Sequence, residues 1–122
     1  MLQWLIVGAG GFIGAIARFQ LSTWVHRYAA GPYGTLAVNV VGCFAIGALM
    51  AAVERHPTFS SDLRDFVRVG LLGSFTTFSA LGFEAFEFLR EGRFGLAAAT
   101  LAANLILGLG AVAAGWALGR QF

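Results

Sequence analysis

The sequence predicts an all-α membrane protein with four transmembrane helices per subunit, and three observations predict it. Of 122 residues, 58% are hydrophobic and 11% charged, whereas roughly 25% are charged in a soluble domain. Long uncharged stretches recur along the chain. Tryptophans fall near the ends of those stretches, where amphipathic rings favour the membrane interface. A chain of this length fits a single domain, 1–122. The composition excludes a disordered tail and a disulfide scaffold, since Cys43 is the one cysteine. A net charge of +2, without lysine and with dispersed arginines, also excludes a nucleic-acid partner.

The first span is predicted at about 2–25. Met1–Ala17 carry no charged side chain, Arg18 interrupts, and apolar character resumes to Val25. Trp4 and Trp24 lie about 20 residues apart, or about 30 Å of helix, which places one indole at each interface. A basic leader and a small-residue cleavage site are lacking, so the span is expected to be retained. Gly8, Gly11 and Gly14 match a dinucleotide-binding turn, but no parallel strands follow to complete it. Gly10 and Gly14 instead have the spacing of close helix packing in lipid. Two readings fit Arg18: snorkelling to the interface, or concentrating anions in an aqueous vestibule.

The uncharged stretch Tyr28–Val53 holds the second span, predicted at about 33–53. Asn39 sits well inside it, where an unpaired amide costs a few kcal/mol. Thr35 lies one turn before it on the same face, Gly42 and Cys43 one turn after. Asn39 either ties helices together or lines a polar path with hydrogen-bond donors. The fourth span, about 94–119, contains Asn104 at a similar depth, with the same two readings.

The third span, about 66–90, is different. Its uncharged part, Val69–Phe83, is short, and it contains Gly70-Leu-Leu-Gly73-Ser-Phe-Thr-Thr-Phe-Ser79. Two glycines followed by hydroxyl residues make a poor continuous helix, so a broken third helix is predicted. Irregular backbone at membrane depth survives only where protein buries it or where it lines a cavity. Such breaks expose carbonyls that can coordinate Na⁺. Phe78, set among the hydroxyls, can turn the partially positive edge of its ring toward an anion. Glu84 is a functional candidate as an intramembrane carboxylate, whereas Glu87 is expected to pair with Arg90 or Arg93 near the interface.

With four spans, Arg55, Arg64, Arg68 and Arg120 lie on one side and Arg18, Arg27, Arg90 and Arg93 on the other. The positive-inside rule then sets no orientation, and dual topology with an antiparallel dimer follows as the expectation. His26, His56 and Cys43 are too scattered for a metal or nucleophile cluster, so no enzyme is expected.

GGFIGAIAR at 10–18, PYGTLAVNVVG at 32–42 and GSFTTFSAL at 73–81 together resemble the bacterial fluoride channels, the Fluc or CrcB family. The resemblance implies four-helix subunits of dual topology, paired as antiparallel homodimers with two fluoride pores in the bacterial inner membrane. It implies a central structural Na⁺ held by the backbone carbonyls of Gly73 and Thr76 from each subunit. Carried over by position, Asn39 is the pore amide, Phe78 the ring facing fluoride, and Thr77 and Ser79 polar lining. Glu84 falls at the far end of the pathway and Arg18 in the vestibule. Leu81 takes the place of the family's usual second phenylalanine. The alternative class is a small dual-topology multidrug transporter. It relies on a carboxylate in the first span, and residues 1–25 contain none.

Overall fold

The computed structural model describes residues 1–122. The elements are α1 (Leu2–Tyr28), α2 (Tyr33–Arg55), α3 (Ser61–Asp65), a π-helical segment (Phe66–Leu72), α4 (Gly73–Phe75), α5 (Phe78–Arg90) and α6 (Phe94–Gly119). Four stretches are long and apolar enough to cross a membrane: Leu2–Tyr28, Tyr33–Arg55, Ser61–Arg90 and Phe94–Gly119.

Three limits differ from the hydropathy reading, the smallest being the end of α2, which reaches Arg55 rather than residue 53. α1 runs three residues beyond Val25, through the polar turn containing His26 and Arg27, and the Arg27 cation suits a helix C-terminus. The third stretch begins at Ser61 rather than near residue 66. Ser60 Oγ accepts the Leu63 N–H at 3.2 Å and caps a helix whose first turns are polar, so hydropathy overlooks them.

Packing depends on backbone approach. Gly10 and Gly14 of α1 are buried against the backbone of Phe66–Leu71, and a Cβ at Gly14 would collide with the Leu71 carbonyl. Gly70 answers from the π-helical side, where a Cβ would stand 2.6 Å from the Val7 carbonyl oxygen. α2 and α6 form the most extensive helix pair. Gly47 faces the Val112 carbonyl, Gly115 the Phe44 carbonyl, and Gly119 the Ala48 carbonyl. Without a hydrophobic force between helices in lipid, such close contact is what holds them. Trp4, Phe12, Phe19 and Leu109 point outward, as a lipid-facing surface requires.

Between α4 and α5 the helix stops. Thr76 (φ −80°, ψ 158°) and Thr77 (φ −148°, ψ 114°) adopt extended backbone, and Thr77 caps α5 by accepting the Ala80 N–H at 3.2 Å. Gly42 lets this segment come close, since a Cβ there would meet the Thr76 methyl and the Phe75 ring.

Candidate functional site

The extended pair is held by one side chain from α2. Asn39 Oδ1 accepts the Thr77 N–H at 2.8 Å, and Asn39 Nδ2 donates to the Thr77 carbonyl at 3.1 Å. The Thr77 N–H fixes the orientation of the amide, because a flipped amide would set donor against donor. The second hydrogen of Nδ2 goes to Asn104 Oδ1 at 2.9 Å, and Asn104 Nδ2 donates to the Thr100 carbonyl at 3.0 Å. Asn39, for which the sequence offers both a helix tie and a donor lining a polar path, has both amide hydrogens engaged within this chain.

These bonds have a consequence for two carbonyls. In a continuous helix the Thr77 N–H would bond the Gly73 carbonyl, and the Ala80 N–H the Thr76 carbonyl. Here the first goes to Asn39 and the second to Thr77 Oγ1. Gly73 and Thr76 therefore lose their usual helical donors together. Thr76 Oγ1, by contrast, is occupied with the Leu72 carbonyl at 3.1 Å.

Asn39, Gly73, Thr76, Thr77, Phe78 and Leu81 surround one open groove of about 680 Å³, which Asn104 and Arg68 also line. Phe78 is 82% exposed there, whereas Leu81 is 7% exposed and forms part of the packed wall. A second cavity of about 490 Å³ is lined by Arg18, Ser22, Thr35, Thr77 and Ser79 among others. Thr77 lies on both cavities. Its hydroxyl and that of Ser79 are 3.3 Å apart.

Glu84 lines neither of these cavities. Thr35 Oγ1 donates to its Oε1 at 2.5 Å, and its Oε2 is buried without a partner. Glu87 pairs with Arg90 at 2.7 Å on the surface. Sequence reasoning left Asn104 and Thr35 without partners. The signal for Asn104 was a second intramembrane amide on another span, at similar depth to Asn39. Arg68 in the groove had no comparable signal.

Four apolar stretches, the third of them interrupted at Thr76–Thr77, with a cavity on each side of Thr77, define a multi-pass membrane protein. The family described as "CrcB-like protein, Camphor Resistance (CrcB)" matches residues 5–116. The chain belongs to that CrcB family. It is 42% identical to a protein of Agrobacterium fabrum named "Fluoride-specific ion channel FluC", over 99% of this chain and 98% of the relative. Relatives of the same name come from Methylobacillus flagellatus (43% identity; 89% and 88% coverage) and Hydrogenovibrio crunogenus (40%; 100% and 94%).

Proposed function

We propose that this protein is a passive, fluoride-selective ion channel, not an enzyme, which exports fluoride across the bacterial cytoplasmic membrane. The observation that carries the reading is the extended Thr76–Thr77 segment, with Phe78 on one cavity, Ser79 on another and Thr77 on both. The names of the relatives point to the same ion.

Fluoride is small and strongly hydrated, so a path must replace its water with donors yet release it again. Arg18 raises the local anion concentration at the second cavity. The Thr77 and Ser79 hydroxyls then act as neutral donors. They sit at the N-terminus of α5, whose partial positive charge favours an anion. Phe78 offers its ring edge in the groove. Leu81, where the family usually has another phenylalanine, supplies an apolar wall. Glu84 accepts a hydrogen bond from Thr35, which lines the Arg18 cavity, so its place at the far end of the pathway rests on the resemblance alone. Asn39 reaches an ion only by exchanging one of its present acceptors for it.

A groove this open leaves Phe78 uncovered, which is the geometry a second, antiparallel copy completes. The carbonyls of Gly73 and Thr76 fit a hard monovalent cation, being oxygen donors released from helical bonding at one interruption. They would hold a structural Na⁺, one pair from each subunit. Such an ion supplies a fixed positive charge beside the anion path.

The test is fluoride release from liposomes containing the purified protein, read with a fluoride electrode after valinomycin is added. Rapid fluoride release, with chloride retained in matched vesicles, is the expected outcome. No release from a well-assembled dimer would overturn the reading.

A further inference from the structure

Asn39 makes three hydrogen bonds, and they are not equivalent. Two of them, to the N–H and the carbonyl of Thr77, form a closed reciprocal pair that fixes the extended backbone. Both hold the segment that shapes both cavities. The third, from Nδ2 to Asn104 Oδ1, only joins α2 to α6. Asn104 is 8% exposed, and its own amide nitrogen is anchored on the Thr100 carbonyl, which keeps its oxygen aimed at Asn39. Both amides line the groove that Phe78 enters.

We propose that Asn104 is the resting acceptor of the one exchangeable Asn39 N–H. An anion in the groove takes that hydrogen from Asn104 Oδ1 and returns it on leaving. The inference deepens the fluoride reading above and rests on it. Its physical basis is a difference between two bonds. A half-buried N–H without a partner is costly, and a small anion that satisfied it would be held tightly. A neutral acceptor already in place reduces the gain to the excess of a charge-assisted bond over a neutral one. That excess lets the ion bind and still depart, which conduction requires. Asn104 is accordingly a positioning residue that acts through Asn39.

Fluoride currents across planar bilayers, recorded as a function of fluoride concentration, test the proposal. Asn104→Leu keeps the approximate shape and removes the acceptor. Asn104→His retains one, because imidazole Nδ1 lies as many bonds from Cα as the asparagine oxygen. Asn104→Leu is expected to lower the half-saturating fluoride concentration about tenfold, the worth of one hydrogen bond, and to depress the maximal current. Asn104→His should stay within about threefold of the parent on both measures. A purely structural lesion would depress current without tightening half-saturation. If Asn104→Leu fails to assemble, Asn104→Ala makes the same comparison. Half-saturation that is unchanged or weakened in the acceptor-less variants overturns the proposal while leaving the channel reading intact. A parent protein that carries no fluoride current overturns both.

Discussion

α2 and α6 meet along one seam in two chemically different ways. Around Gly47, Gly115 and Gly119 the contact is backbone against backbone, with each glycine set on a carbonyl of the other helix. Further along, Asn39 and Asn104 meet amide to amide. The glycine portion depends on shape alone and tolerates no added atom. The amide portion is directional, and its partner can be exchanged. One part of the seam therefore carries assembly and the other carries chemistry, so substitutions should separate the two.

The largest expected effect is Gly115→Val. Its Cβ would collide with the Phe44 carbonyl and crowd the Ala48 amide nitrogen at 3.0 Å, neither of which is a flexible side-chain tip. Overpacking against backbone costs about 3 kcal/mol or more. The variant should lose its monodisperse peak in size-exclusion chromatography, and a normal profile would show that the helices can separate without penalty.

At the amide end, Asn39→Asp keeps an acceptor for the Thr77 N–H but loses both donor bonds and adds a negative charge to the groove. We expect it to assemble, with a stability loss of about 1–3 kcal/mol. Fluoride flux should fall at least about 100-fold, because two unit charges at close range in a partly dry site repel by several kcal/mol. Thermal unfolding and liposome efflux, measured on the same preparation, separate the two losses. Parent-like flux would remove the amide from the path. Phe78→Ile makes the separation cleaner. The ring is exposed in the subunit, so its loss should leave folding intact while abolishing fluoride flux, and undiminished efflux would exclude the ring from the pathway.

This contrast also explains what could be read from the sequence. The four spans were legible because charge-free length is a property of consecutive residues. The interruption at Thr76–Thr77 was signalled by two glycines and a run of hydroxyls, all local. The start at Ser61 was hidden because a cap and a polar first turn carry no hydropathy. Pairing was illegible for a different reason. Asn39 and Asn104 stand 65 residues apart, and nothing adjacent to either amide specifies which acceptor it finds. The same holds for Thr35 and Glu84, separated by 49 residues. Gly10 and Gly14 announced close packing through their spacing, but not that the π-helical segment would be the surface they meet.

A smaller effect is expected at Thr35→Val. The substitution removes the hydroxyl that donates to Glu84 Oε1, so that Oε1 joins Oε2 in having no hydrogen-bond donor. A loss of about 1–3 kcal/mol in thermal stability follows from the unsatisfied group. An unchanged melting temperature would mean that water replaces the hydroxyl.

The smallest effect sharpens the seam most. Gly110 lies on α6 five residues before Gly115, roughly one and a half turns away and on a different face, and a Cβ at Gly110 would meet nothing within 4 Å. Helix propensity alone then decides the sign of Gly110→Ala, and alanine is favoured over glycine by up to about 1 kcal/mol. The variant should assemble normally and melt at the same temperature or slightly higher. Destabilisation on the scale of Gly115→Val would place Gly110 against another surface, and the face of α6 that carries it would then belong to an interface between subunits. Neutrality would confine the requirement for glycine to the positions where α2 presents its carbonyls. The two glycines differ only in what faces them, so comparing them isolates contact from composition.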